Sequence, residues 1–436
     1  MYLNCHSFHS LRYGTIPLLD LVQQAVFCGV KIMALTDINT VTGIYDFIKA
    51  CKEAEIKPLV GIEFRCNHQL RYIGLAKNTN GLAEMNRFLT KNNFENSPLQ
   101  STAPDFNDVT IIYSFENKPT KLKAHEYIGI APDQLPKLFL PEWKVLLHKM
   151  VVLQPVTFRT KREFNLHKIL RAIDTNVILS KLTELDYCKR SEIMIPLEEL
   201  LVKFEEYPEI IANTQKLMDQ CHFEFDFKSP KNKKYYSGSR ENDIQLLTKL
   251  AQEGLIKKYG ADNPQATARV EKELKVIHQL EFSGYFLITW DIIQYSRSQG
   301  FLHIGRGSGA NSIVSYCLGI TAICPIELDL YFERFLNVNR KSPPDFDIDW
   351  SWKERDTILQ YIFDKYGADY VAFCGTNVEF KYRSIFREVG KVFGLPKEEL
   401  DQLAKNPMQL HDKNQIVKLV QEYGMLLEKY PNQRSM

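Results

Sequence analysis

Apolar and polar positions along the chain follow a period that changes several times. Over residues 1–62 the changes are regular. "MYLNCHS" predicts a short strand, "IPLLDLVQQAVFCGV" a helix and "KIMALTD" a buried strand. "GIYDFIKACKEAEI" predicts a second helix, and "KPLVGIEFR" a strand entered through Pro58. Strand–helix–strand–helix–strand argues for parallel α/β architecture, with Thr36, Asp37 and Glu63 just past strand ends, where sites in such folds collect. Beyond residue 64 the pattern is less clean, and two loops, "NNFENSPLQSTAPDFND" and "APDQLPKLFLPEW", interrupt it. "WKVLLHKMVVLQPV" predicts helix then strand, while "REFNLHKILRAID" and "LEELLVKFEEYPEIIANTQKLMDQC" predict amphipathic helices.

"KSPKNKKYYSGSR" is basic and aperiodic, which places a domain boundary near 222–240. Its charge suits either a solvated loop or contact with nucleic-acid phosphate. Helical spacing resumes in "ENDIQLLTKLAQEGLIKKYG", "NPQATARVEKELKVIHQLEFSG" and "YFLITWDIIQYSRSQG". "PPDFDIDW" reads as strand, "KERDTILQYIFDKYG" as helix, and the tail 377–436 as helical. There is no internal repeat and no low-complexity tract.

Composition changes this picture little. A length of 436 residues implies two to four domains, and 44% hydrophobic with 25% charged residues is ordinary for a soluble globular protein. A net charge of +2 says nothing about partners, because a basic face is compatible with overall neutrality. Nine cysteines without a CxxC pair point to a reduced protein rather than a disulfide framework. With no bilayer-length apolar run and no signal-peptide pattern, the expectation is a cytoplasmic protein with no membrane contact.

Candidate chemistry begins at "SPPDFDIDW", where Asp345, Asp347 and Asp349 alternate with Phe346 and Ile348. On a strand such a row shares one face, and three like charges repel. A D-x-D-x-D calcium loop wants glycine sixth and glutamate twelfth, where this chain has Trp350 and Asp356. A solvated strand face that resists aggregation is one remaining reading; a carboxylate set holding cations for phosphoryl transfer is the other. "HIGRGSGANS" bears on that choice. Gly305, Gly307 and Gly309 lead into a helix carrying Ser312 and Ser315, a setting in which backbone N–H groups cradle phosphate. The P-loop lysine and the G-x-G-x-x-G spacing are both absent. A glycine turn alone is equally a plain loop–helix junction. Within forty residues of an acidic strand, and with Arg334 and Arg340 between them, it favours phosphoryl transfer.

Together "YFLITWDIIQYSRSQGFLHIGRGSGANSIVSYCLGIT", "IELDLYFERFLN" and "PPDFDIDW" closely resemble the α subunit of bacterial DNA polymerase III, the C-family replicative polymerase, from about 240 to 400. The resemblance implies a polymerase-β-like nucleotidyltransferase palm, a mixed sheet with helices. In it Asp345 and Asp347 bind two catalytic Mg²⁺ ions, and Asp349 and Arg340 are supporting. Gly307 and Ser308 hold the incoming dNTP, and Arg334 meets its γ-phosphate. Primer–template DNA is the implied partner.

The N-terminal segments "HSFHSLRYGT", "ALTDINTVTG" and "PLVGIEF" resemble a PHP (polymerase and histidinol phosphatase) domain, an α/β barrel-like fold that binds a metal cluster when active. This chain keeps His6 and Glu63. It has Asn4 for the first histidine of HxH, Tyr13 for an aspartate, Ile38 for the histidine of "TDH" and Thr157 for a later histidine. Neither isoleucine nor tyrosine replaces imidazole as a ligand, so no metal and no phosphoesterase activity are expected there.

The expected organisation is a PHP domain over 1–222, a palm over 223–376 and the start of a helical thumb over 377–436. Lys381, Arg383 and Arg387 make either a duplex-backbone contact or an ordinary charged helix face. The expected function is that of a DNA-directed DNA polymerase. The alternatives are a PHP metal-dependent phosphoesterase or 3′–5′ exonuclease, and a non-catalytic scaffold docking a proofreading exonuclease subunit. Family members carry a third catalytic aspartate on a later palm strand, and nothing after residue 350 offers one. The expectation is therefore an N-terminal fragment that folds but does not polymerise alone, and that meets a sliding clamp only through regions outside this chain.

Overall fold

In the computed structural model, which describes residues 1–229, 232–340, 343–376 and 379–405, the N-terminal alternation becomes a curled sheet. The described chain divides into two units, one of residues 1–227 with 379–405 and one of residues 228–376.

The first unit contains β1 (Asn4–Cys5), β2 (Ile32–Leu35), β3 (Lys57–Cys66), β4 (Gln69–Ala76), β5 (Val109–Ser114), β6 (Glu126–Ile130), β7 (Met150–Val152) and β8 (Pro155–Val156). Strands β2 to β7 lie side by side in chain order. Strand β1 pairs in parallel with β8 and meets β2 through a Tyr2–Met33 bridge. Since β7 runs on after two residues into β8, the strands curl round towards a barrel. Parallel pairing holds for β2–β3 and for β5–β6–β7, but β3–β4–β5 are antiparallel. The cause is local. Asn67 and His68 take φ of +50° and +64°, the left-handed geometry of a two-residue hairpin, which leaves no chain for a crossover helix.

Helices α1 (Leu18–Phe27), α2 (Ile44–Glu53), α3 (Thr79–Glu95), α4 (Pro141–Lys144), α5 (Lys161–Thr175), α6 (Leu197–Lys203) and α7 (Pro208–Asp219) accompany this sheet. Their periodic faces supply Leu21, Phe47, Met85 and Leu217 to a core shared with Met33, Ile62 and Phe64. Each such large side chain contributes about 2 kcal/mol by leaving water. The predicted single helix over 197–221 is split, because Pro208 starts α7 at its first position and cannot continue α6.

The second unit contains α8 (Arg240–Tyr259), α9 (Pro264–Gln279), α10 (Ser283–Ser298), β9 (His303–Arg306), α11 (Ile313–Leu318), β10 (Asp347–Trp350) and α12 (Arg355–Tyr366). Ser239 and Asn263 cap α8 and α9 by accepting from Asn242 N–H and Ala266 N–H, which fixes where those helices start. Strands β9 and β10 pair antiparallel, with Asp347 opposite Arg306 and Asp349 opposite Ile304. The predicted strand at "PPDFDIDW" begins only at Asp347. Two prolines at its start cannot donate to a ladder, and Asp345 lies ahead of the strand.

Two further helices, α13 (Tyr382–Val392) and α14 (Lys397–Lys405), belong to the first unit. Val389, Val392 and Phe393 pack against Ile169, Ala172 and Ile173 of α5. The part of the helical-tail expectation over 406–436 lies outside the described residues. Among the described residues no helix is long and apolar enough to cross a membrane.

Candidate functional site

Strand β9 ends just before Gly307, whose φ of +74° opens a turn over 307–311. A Cβ there would fall 2.8 Å from Asp347 Oδ2, so glycine is what lets the turn lie against the carboxylate. Two residues on, a Cβ at Gly309 would meet the Phe346 ring at 3.1 Å. Phe346 in turn packs on Phe286 and Phe335, with ring centroids 5.1 and 5.3 Å away. The apolar residue between the first two aspartates thus pins the acidic segment to the core. The carboxylates remain in water: the side chains of Asp345, Asp347 and Asp349 are 74%, 45% and 55% exposed.

Each of the three has an arginine. Arg306 donates from a terminal nitrogen to Asp347 Oδ2 at 3.1 Å and from Nε to Asp349 Oδ2 at 2.7 Å. Arg340 lies 3.6 Å from Asp345 and donates to the carbonyls of Phe335 at 2.7 Å and Pro343 at 3.1 Å, bracing the chain before the strand. Arg334 closes a turn over Phe332–Arg334 that packs beside the glycine turn. Its side chain is exposed and has no hydrogen-bond or ion-pair partner among the described residues, and the Ser308 hydroxyl has none either.

The helix opening predicted to face phosphate is occupied from within. Buried Glu273 of α9 accepts from Ser312 Oγ at 2.7 Å and from Val314 N–H at 3.3 Å, and Arg269 holds it at 3.1 Å. Burial raises the Glu273 carboxyl above its ordinary range, partly countered by these donors. The amides of α11 are therefore spent on an internal anion, and only the 307–309 turn remains to meet an external one. The oxygens of Asp345 and Asp347 suit a hard cation such as Mg²⁺, which habitually takes one or two carboxylates and completes its shell from water and phosphate. Among the described residues no three His, Cys, Asp or Glu side chains converge on a single cation position.

In the first unit the six divergent or surviving PHP-motif positions do converge. Asn4 Nδ2 donates to Glu63 Oε2 at 2.8 Å, and its Oδ1 accepts from Thr36 at 3.0 Å. His6 lies 3.0 Å from Glu63 through Nε2 and 3.0 Å from Thr157 Oγ1 through Nδ1. Ile38 bridges to Glu63 along the backbone. Asp37 is satisfied locally, accepting from Ser7 and Ser10.

The sequence reading missed the central charge. Arg65 donates to Glu63 Oε1, reaches the Tyr13 hydroxyl at 3.0 Å and lies 4.2 Å above the Tyr13 ring. Burial pushes the Glu63 carboxyl up, but Arg65 and His6 outweigh it and hold it well below the usual carboxylate range. Glu63 and Arg65 are two apart on one strand, so their shared side was legible from period alone. Glu192, which accepts from Thr157 Oγ1 at 2.8 Å, was not, because it comes from an irregular loop. Asn4, His6, Glu63 and Arg65 form the polar floor of a cavity of about 910 Å³ whose walls include Phe115, Leu135, Leu153 and Ile195. These residues do not fit a metal cluster: two candidate ligands remain, and a guanidinium that only donates is bonded to one of them.

Comparison with known proteins finds two family matches along the chain. Residues 3–121 match the family described as the PHP domain, and residues 245–435 that described as the bacterial DNA polymerase III alpha NTPase domain. The chain is 29% identical to an error-prone DNA polymerase of Symbiobacterium thermophilum, a match covering 93% of this chain and 42% of that protein. It is 30% identical to the DNA polymerase III subunit alpha of Ureaplasma parvum (93% and 40% covered) and 29% identical to that of Escherichia coli (93% and 39%). It spans about two-fifths of the length of these curated relatives. The chain thus carries a PHP domain followed by a bacterial DNA polymerase III alpha NTPase domain, and is homologous to DNA polymerase III alpha subunits over the N-terminal part of those proteins.

Proposed function

We propose that residues 223–376 are the palm of a DNA-directed DNA polymerase, that 377–436 begin its thumb, and that 1–222 form a PHP domain working without metal. The observation that carries the palm reading is the β9–β10 register, in which Arg306 faces Asp347 and Gly307, next to Ser308 in the chain, lies against the Asp347 carboxylate. Asp345 and Asp347 would hold two Mg²⁺ ions, which when bound supply charge stabilisation to the attacking and leaving oxygens. The rest is orientation by the chain itself. Gly307 and Ser308 offer an open backbone and an untied hydroxyl to the phosphates of a dNTP. Arg334 offers an untied guanidinium to the γ-phosphate, while Asp349 and Arg340 support the acidic segment. In the reaction the primer 3′-oxygen bonds to the α-phosphorus and its proton passes to solvent. The bond from that phosphorus to the bridging oxygen breaks, and pyrophosphate leaves with the electron pair.

The 436-residue chain, which spans about two-fifths of its curated relatives, is expected to bind nucleotide without extending a primer on its own. The Arg65-filled cluster supports a PHP scaffold over a phosphoesterase, with a proofreading exonuclease subunit as its partner. All nine cysteines are free, which suits the cytoplasm.

Titrating dNTP into the chain with and without Mg²⁺ tests the palm reading. Binding should need Mg²⁺ and weaken about tenfold in Asp347→Asn and in Arg334→Ala, the order of one charge-assisted contact. Binding that ignores Mg²⁺ and both substitutions would overturn it. A 3′-exonuclease activity lost in His6→Ala would overturn the metal-free PHP reading.

A further inference from the structure

Arg306 stands directly across the ribbon from Asp347, and its guanidinium spans two carboxylates of one strand face. With Arg340 beside Asp345, the row of three acids carries two resident counter-charges and one net negative charge. Such a row has little attraction left for a dication. The Arg306 contacts are also exposed, its side chain being 58% accessible, so water can replace them at small cost and the guanidinium can swing outward. The main chain on either side does not follow it. A Cβ at Gly305 would meet the carbonyl oxygen of Ile320 at 2.1 Å, and Gly307 is held against Asp347.

We propose that Arg306 is the resident counter-ion of this row, and that a divalent cation binds at Asp347 only by displacing it. This rests on the palm reading, in which Asp347 is a metal ligand. The arginine keeps the two carboxylates together while no dication is present and competes with one when it arrives. Removing its charge therefore strengthens cation binding, which is opposite to what loss of a merely structural residue would do.

Calorimetric titration of Mn²⁺ alone into the full 436-residue chain tests this, with wild type, Arg306→Met, Arg306→Lys and Asp347→Asn in each background. Arg306→Met should bind Mn²⁺ about tenfold more tightly than wild type, the effect expected of removing one positive charge some 4–5 Å from a dication near a protein surface. Arg306→Lys, which keeps the charge, should stay near wild type, and Asp347→Asn should remove the gain. Asp347-dependent binding of equal or lower strength in Arg306→Met overturns the displacement while leaving the palm reading intact. No Asp347-dependent binding in any variant overturns both. Matching circular dichroism spectra and melting temperatures exclude misfolding as the source of either result.

Discussion

Glu63 and Arg65 share one side of β3, and everything around them is arranged to keep that pair out of water. Tyr13 lies under the guanidinium, Asn4 and His6 meet the far carboxylate oxygen, and Thr157 links His6 to Glu192. Arg65→Met should cost about 3 kcal/mol in urea unfolding, because it strands a buried carboxylate. Arg65→Met with Glu63→Gln should recover part of that loss, and a double-mutant cycle returning no coupling would refute the pairing. At this scale the sequence named Asn4, His6, Tyr13, Ile38, Glu63 and Thr157, although His6 and Thr157 are 151 positions apart. It passed over Arg65 and Arg306. Neither belongs to a ligand pattern, and the role of each appears only when another side chain faces it.

Among the elements, those with a strong period formed where expected, as α1, α2, α5 and α8 to α10 did. The β3–β4 hairpin escaped notice because Asn67-His68 lacks the glycine that usually marks such a turn. The start of β10 depends on Trp350 and Phe346 finding partners, which no local period reveals. Trp350 donates to Ser296 of α10 at 2.8 Å, and the helix after the strand is latched to the same α10. Buried Asp291 there accepts from Tyr236 at 3.0 Å, Tyr361 at 2.9 Å and Tyr366 at 2.8 Å, as well as from Lys365. Burial raises its carboxyl, but these four donors prevail and hold it below the ordinary range. Asp291→Ala leaves three hydroxyls and an ammonium without their acceptor, and should destabilise the second unit by about 2–3 kcal/mol in chemical denaturation. Asp291→Glu, which keeps the charge, should restore part of it.

For the molecule as a whole, the buried polar groups of the first unit set an acid limit. His167 donates Nδ1–H to Tyr13 O at 2.7 Å and accepts from Cys188 N–H at 3.0 Å through Nε2, so both ring nitrogens are committed to the neutral form. Burial, reinforced by Arg171, pushes it down to about 4. The unfolded chain takes up this proton near pH 6.5 and the folded one only near 4. Stability is therefore full above about 6.5 and falls as the pH drops between those values. Glu63, depressed in the fold, adds a loss of the same sign as the pH falls through the carboxylate range. Urea midpoints followed by circular dichroism from pH 7 to 4 should reveal about 3 kcal/mol of loss attributable to His167, and the slope should flatten in His167→Asn. An equal slope in the variant would show that the ring titrates normally.

The Arg65 cluster also bears on how this lineage can change. A metal must be acquired after synthesis, whereas a guanidinium is made with the chain, so on the metal-free reading proposed above the first unit's assembly would not wait on ion supply. Introducing a metal would also be difficult. Introducing a single histidine puts a new ligand beside a cation already in place, and removing Arg65 first leaves Glu63 without that partner in the interior. Each single step is unfavourable until several have been taken. On the metal-free reading, a scaffold held together by an arginine where a metal would otherwise sit carries a commitment that no single substitution undoes.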